Sequence, residues 1–172
     1  LGSASTLMIS LLASLPLVDV EAPGTLLPEL SSPASLRSLS GQVLSNYTFS
    51  SMVNLKRLRV SSNESIEANL SSLCGSSLSE LSVVGGTFEE FVRLVNCFPN
   101  LEKADFSEDS YNNSPTMHET LTSSTLKFLS VSTFIWLPTS FTVNCSALED
   151  FSLLTQSNMT LDVLAPNLKN LF

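Results

Sequence analysis

The chain has 172 residues, 43% hydrophobic and only 14% charged, with a formal net charge of −8. That length and apolar content suit one domain with a substantial buried core and exclude a disordered polyelectrolyte. The negative balance argues against a general nucleic-acid binder and against polybasic contact with an anionic membrane. No uncharged apolar run approaches the roughly 18 residues of a membrane helix.

In chain order, the opening Leu7-Met8-Ile9-Ser10-Leu11-Leu12-Ala13-Ser14-Leu15 is apolar but lacks the preceding positive residues of a signal peptide. Leu17-Val18-Asp19-Val20-Glu21-Ala22 reads as a degenerate first copy of a pattern that becomes regular later, and Pro23, Gly24, Pro28 and Pro33 interrupt any long helix after it. Residues 1–35 are therefore read as degenerate N-terminal repeat, and 36–172 as about six to seven regular ones. Counted from the first Leu of each L-x-x-L, the copies begin at Leu36, Leu55, Leu78, Leu101, Leu126, Leu148 and Leu168, in steps of 19, 23, 23, 25, 22 and 20 residues. Within a copy, alternation turns positions 4 and 6 inward and positions 3 and 5 to the opposite face. One such unit cannot bury its apolar side alone, whereas stacked units make a continuous core.

Between these strands, Thr87 to Cys97 is the clearest helix. Thr87 and Glu90 have capping-box spacing, and Phe88, Phe91, Val92 and Val95 recur at helical intervals. Glu64 to Leu73 is a second helix candidate, with Ile66, Leu70 and Leu73 on one stripe. Thr116 with Glu119 marks another possible cap, before Leu121. Ser107–Pro115 reads as a lengthened loop that accounts for the 25-residue step. Between Leu153 and Leu168 too few residues remain for a helix, so an extended connection is expected there. The chain stops at Phe172 within what reads as a strand, and the whole is read as a piece of a longer polypeptide.

Periods in the twenties with an L-x-x-L-x-L core are the mark of leucine-rich repeats. Cys97-Phe98-Pro99-Asn100-Leu101 resembles the C-P-x-L element of the cysteine-containing repeats of this kind, and Leu164-Ala165-Pro166-Asn167-Leu168-Lys169-Asn170-Leu171 resembles a phrase common in F-box leucine-rich-repeat proteins. The resemblance covers roughly 36–172. It implies an α/β leucine-rich-repeat solenoid, a curved horseshoe segment with a parallel β-sheet on the concave face and helices and extended turns on the convex face. No F-box is visible, and Asn at the ninth repeat position occurs once, at Asn63, with Gly86, Asp109, Phe134 and Gln156 elsewhere.

No catalytic constellation emerges. Cys74 and Cys97 lie four residues before the next copy and Cys145 lies three before, which reads as three small buried hydrophobes in nearly one register. Paired metal-ligand spacings are absent, and the single His118 falls in an expected loop or helix start. An odd number of thiols fits a reducing compartment. Six N-x-S/T sequons, at Asn46, Asn63, Asn69, Asn112, Asn144 and Asn158, point instead to a glycosylated protein. Ser and Thr are so frequent, however, that sequons arise by chance, and Cys145 beside Asn144 and apolar Leu70 beside Asn69 make a glycan awkward at both, so an intracellular protein is the preferred reading. Glu89-Glu90 and Glu108-Asp109 read as caps or solvated loops, Gly85-Gly86 as a turn, and Trp136 as a packing residue. No cofactor is implied.

The charges carry the functional reading. Seven of the eight Lys and Arg residues lie within the strand copies, Arg93 being the exception. Arg57, Arg59, Glu80, Lys103, Asp105, Phe128 and Asp150 are expected to line the concave recognition surface, Phe128 either as an interface anchor or as an edge aromatic packed on a neighbouring strand residue. The expected function is protein binding on that face, with no nucleic acid, no membrane and no enzymatic step. By resemblance it would be the substrate-recognition part of an F-box-type ubiquitin-ligase receptor, cytoplasmic or nuclear, reaching ligase scaffold subunits through an F-box outside this chain. The alternatives are the repeat region of an intracellular nucleotide-binding immune receptor and an extracellular glycosylated recognition protein. A GTPase-activating repeat protein ranks last, because such repeats run nearer ~28 residues.

Overall fold

A computed structural model describes residues 18–26, 35–42, 49, 52–62, 67–108, 118–133, 139–156 and 158–172, with the side chains of 22–26, 68, 69 and 108 left aside. The expectations placed on Leu7–Leu15, Asn46, Asn63, Asn112, Thr116 and Trp136 lie outside these residues. The architecture is α/β with parallel sheets and few helices, compatible with a solenoid-like winding. Eleven strands are present among the described residues: β1 (Asp19–Leu26), β2 (Ser38–Gln42), β3 (Arg57–Ser61), β4 (Glu80–Val84), β5 (Lys103–Glu108), β6 (His118–Ser123), β7 (Phe128–Thr133), β8 (Ser140–Cys145), β9 (Asp150–Thr155), β10 (Thr160–Leu164) and β11 (Asn170–Leu171). Eight of them form one parallel sheet in the order β1-β2-β3-β4-β5-β7-β9-β11, and β10-β8-β6 form a second.

The sheet register follows the leucine spacing. Asp19 pairs with Ser38, Ser38 with Arg57, Arg57 with Glu80, Glu80 with Lys103, Lys103 with Phe128, Phe128 with Asp150 and Asp150 with Asn170. Each step is one leucine interval, so equivalent residues stack across the sheet. Asp19–Leu26, part of the irregular N-terminal stretch, forms β1 at one edge of this sheet. The residue before each strand continues the ladder: Lys56 N donates to Arg37 O, Ser79 N to Lys56 O, Glu102 N to Ser79 O, Lys127 N to Glu102 O, Glu149 N to Lys127 O and Lys169 N to Glu149 O, all at 2.8–2.9 Å.

Alternation decides what is buried. The leading leucines Leu36, Leu55, Leu78, Leu101, Leu126 and Leu148 are buried, as are the fourth positions Leu39, Leu58, Leu81, Ala104, Leu129 and Phe151. The sixth positions Val60, Val83, Phe106 and Val131 join them.

The layer covering this core changes along the chain. First come α1 (Glu67–Leu70), a 3₁₀ turn (Ser71–Leu73) and α2 (Phe88–Cys97). The second helix has the expected capping box: Glu90 N donates to Thr87 Oγ1 and Thr87 N to Glu90 Oε2, both at 3.1 Å. Arg93 ties the two helices, reaching Glu89 at 2.8 Å and Glu67 at 2.9 Å. Of the candidate helix 64–73, the described part is α-helical over Glu67–Leu70 and tightens into a 3₁₀ turn over Ser71–Leu73, while Leu70 and Leu73 are buried as its stripe required.

From β6 onward the cover is a sheet, which corrects two expectations. Glu119 lies in β6 and caps no helix, and His118 opens that strand. Ser107 and Glu108, expected in a loop, belong to β5. The alternating His118-Glu119-Thr120-Leu121-Thr122-Ser123 buries only Leu121, and its pairing with β8 outweighs the local cap signal. Where helix meets sheet, Asn96 on α2 closes the free edge of β6. Its Nδ2 donates to Thr120 O (3.0 Å) and its Oδ1 accepts from Thr122 N (2.8 Å). Edge groups that would otherwise stay unpaired are satisfied by one side chain.

Gly85 and Gly86 form the expected turn, at φ +89° and +73°. A Cβ on Gly85 would press into the carbonyl oxygen of Ser62, whereas one on Gly75, at φ +78°, would meet nothing within 4 Å. Gly85→Ala is therefore expected to cost about 2–3 kcal/mol and Gly75→Ala about 1 kcal/mol. Urea midpoints of the two variants check this, and equal losses would count against the close approach at Gly85.

Candidate functional site

Outward positions 3 and 5 of the strands build two rows across the eight-stranded sheet. The first runs Asp19, Ser38, Arg57, Glu80, Lys103, Phe128, Asp150, and the second Glu21, Ser40, Arg59, Ser82, Asp105, Ser130, Ser152. All seven residues expected at a recognition surface fall in these rows. Arg57, Arg59, Glu80, Lys103 and Asp105 also line a common groove of about 540 Å³, together with Glu21. Phe128 and Asp150 continue the first row beyond that groove.

The groove matches three cations, Arg57, Arg59 and Lys103, with three acids, Glu21, Glu80 and Asp105. Contacts between strands hold part of this mosaic in place. Arg57 faces Asp19 at 3.6 Å with both side chains more than half exposed, a pairing worth little in stability. Ser82 Oγ donates to Asp105 Oδ2 at 3.2 Å. The Lys103 ammonium lies 5.2 Å from the centroid of the Phe128 ring, within cation–π range. Phe128 is half-buried, on a strand inside the sheet, with Lys103 of the neighbouring strand over its ring.

Beside the rows runs a margin of paired charges. Lys127 Nζ meets Glu102 at 3.0 Å and Lys169 Nζ meets Glu149 at 2.7 Å. The Glu149 carboxylate, by hydrogen bond and by charge, holds the Lys169 ammonium above its ordinary pKa. Asp19 and Glu21 were missed as site residues. The signal was present in the 19-residue step from Leu17 to Leu36, which puts the degenerate copy in the same register.

The cysteines divide in a way the sequence reading did not anticipate. Cys74 and Cys97 form a disulfide with a Cα–Cα separation of 5.1 Å, joining the end of the 3₁₀ turn to the end of α2. Cys74 is exposed and Cys97 half-buried, so neither is a small core hydrophobe. Their equal offset before Leu78 and Leu101, across a 23-residue step, stacks them on adjacent turns. Cys145, one residue out of that offset, is fully buried and free. Burial pushes its thiol up to about 11, against a smaller opposing effect of the backbone hydrogen bond at Ser123. A neutral, enclosed thiol of this kind is no nucleophile at physiological pH.

Among the described residues no group of three His, Cys, Asp or Glu side chains converges as metal ligands would. Nor is any described helix long and apolar enough to cross a membrane. Comparisons with protein-family models, with curated proteins and with solved structures found no match.

Proposed function

We propose that this chain is a leucine-rich-repeat recognition module that holds another protein on the outer face of its eight-stranded sheet. The observation that carries the reading is the pair of in-register rows containing Arg57, Arg59, Glu80, Lys103, Asp105, Phe128 and Asp150 on a hydrogen-bonded parallel scaffold. Rigid strands present these side chains at fixed spacing, and alternation keeps them clear of the core. A balanced mosaic of charge suits a folded protein surface of complementary pattern better than a polyanion. The mechanism is binding, with no bond chemistry.

The Cys74–Cys97 bond favours the extracellular alternative, a recognition protein of an oxidising compartment. The F-box ubiquitin-ligase reading rests on the Ala165–Leu171 phrase and requires those two thiols to stay reduced in the cell. Trapping thiols in intact cells separates the two: Cys74 and Cys97 alkylated without prior reduction would favour the ligase receptor.

The double variant Arg59→Glu/Lys103→Glu is expected to weaken capture of the native partner roughly tenfold or more while leaving the circular dichroism spectrum unchanged. Asp162→Lys, on an exposed position of the second sheet, serves as the control and should leave capture intact. The opposite outcome, with capture lost in the control and kept in the double variant, would move the binding surface to the other layer.

A further inference from the structure

We propose that Asn144 and Asn158 are N-glycosylation sites, carrying their glycans on the layer opposite the recognition face. The sequon Asn144-Cys145-Ser146 looked unsuitable from sequence because its middle residue is apolar. Strand alternation removes the difficulty. In β8, Phe141, Val143 and Cys145 point into the core at 0% exposure, while Asn144 between them is exposed. Its acceptor partner Ser146 is also exposed, in the turn that follows the strand. On either side of Asn144 stand Thr122 of β6 and Leu164 of β10, in register. Leu164 is a large apolar side chain left 59% exposed, a surface that a sugar at Asn144 would overlie.

The second sequon, Asn158-Met159-Thr160, leads into β10. Asn158 and Thr160 are exposed, Met159 packs against the core, and the Thr160 backbone is held by Thr139 O at 2.9 Å. In both sites the residues that must reach solvent do so, and the intervening one turns inward.

Placement makes the two sites compatible with binding. Phe141 of β8 meets Phe88 edge-on at 4.9 Å, and Phe88 meets Phe106 of the eight-stranded sheet at 5.7 Å. The rings lie between the layers, so glycans on β8 and before β10 leave the charged groove uncovered. Two further observations agree. The chain has twelve Asn and 45 Ser plus Thr in 172 residues, which by chance would give about three sequons, and it has six. The Cys74–Cys97 bond belongs to the same oxidising lumen in which N-glycans are attached.

The chemistry is a group transfer from a lipid-diphosphate-linked oligosaccharide. The Asn Nδ2 forms a bond to the anomeric carbon of the first sugar and loses one proton. The bond from that carbon to the diphosphate oxygen breaks, and the lipid diphosphate leaves with its electron pair. The product is a neutral, bulky and solubilising modification of the surface.

The test is peptide mapping of the intact protein isolated from its own cells, with glycans released by an amidase that converts the modified Asn to Asp. Both the Asn144 and Asn158 peptides are expected to carry the conversion. Ser146→Ala and Thr160→Val remove each sequon while keeping the Asn, and Asn144→Gln and Asn158→Gln remove the acceptor. Each of the four should lose one glycan-sized step in gel mobility, with partner capture unchanged. Unmodified Asn144 and Asn158 peptides from the native protein would overturn the assignment, as would a mobility unaltered in all four variants. The assignment does not depend on the recognition reading: glycans present with capture insensitive to Arg59→Glu/Lys103→Glu would overturn only the latter.

Discussion

Phe106→Ala is expected to lower the free energy of unfolding by about 3–5 kcal/mol, a large fraction of what a domain of this size has. Phe106 is fully buried in β5, near the middle of the eight-stranded sheet. Its ring stacks on Phe91 of α2 at 5.0 Å and meets Phe88 edge-on at 5.7 Å. Phe88 in turn meets Phe141 of β8. Phe106 therefore links the main sheet to the helical cover directly, and through Phe88 to the strand cover, at the place where the cover changes type. Alanine would leave a cavity between β5 and α2, and the backbone ladder on both sides of β5 opposes its collapse. Phe106→Leu keeps most of the volume and should cost under about 1.5 kcal/mol if neighbours repack. Urea unfolding measures both. A loss below about 1 kcal/mol for the alanine variant would mean that the aromatic cluster is not close-packed. Because Lys103 and Asp105 share β5 with Phe106, partner capture should fall along with stability in the alanine variant.

Removing the Cys74–Cys97 bond is the second large effect. The bond spans a sequence separation of 23 residues. Loop-closure entropy for a loop of that length corresponds to about 3 kcal/mol, and for a protein of this size the melting temperature should fall by roughly 6–12 °C. Cys74→Ala/Cys97→Ala and chemical reduction should agree in magnitude. Cys145 provides the internal control. Buried and with its pKa raised to about 11, it should resist alkylation near pH 8 in the folded protein and react only on unfolding. Reduction should thus expose two reactive thiols at Cys74 and Cys97 while the third stays silent. The high thiol pKa has its own consequence. The folded state holds this proton more tightly than the unfolded one, so the contribution is present below about pH 9 and is lost as pH rises towards 11. A melting temperature that does not change on reduction would show that the native protein lacks the crosslink.

Much of the architecture was legible in the chain because it is carried by local periodicity. The six leucine intervals set the strand register, and alternation within each strand separates Leu58 and Val60, inside, from Arg57 and Arg59, outside. The Thr87–Glu90 pair marks the start of α2 because a cap needs only residues three apart. The same logic placed all seven candidate recognition residues on one face of the sheet. It did not show that Asp19 and Glu21 join them, since the first copy lacks the regular leucines that make the register obvious.

The cover was harder to read. Thr116 and Glu119 have the spacing of a helix start, yet Glu119 lies in β6, whose partner β8 is about twenty residues further on. A cap signal is local, whereas a strand in a parallel sheet depends on its neighbour, and that neighbour lies beyond the reach of a short sequence window. Asn96 gives no sign in the sequence that it will bridge Thr120 and Thr122 across the junction.

By itself, then, the sequence determined the strands that follow the leucines, the inward and outward sets of side chains, and the capped helix, because each depends on spacings of two to four residues or on the leucine intervals. Only the tertiary structure decided which cysteines pair, which segments cover the core as strands, and that Asn144 faces outward beside an inward Cys145. Those outcomes depend on how one turn of the chain stacks on the next. The 5.1 Å between the Cα atoms of Cys74 and Cys97 is a property of two segments brought side by side, which neither contains alone.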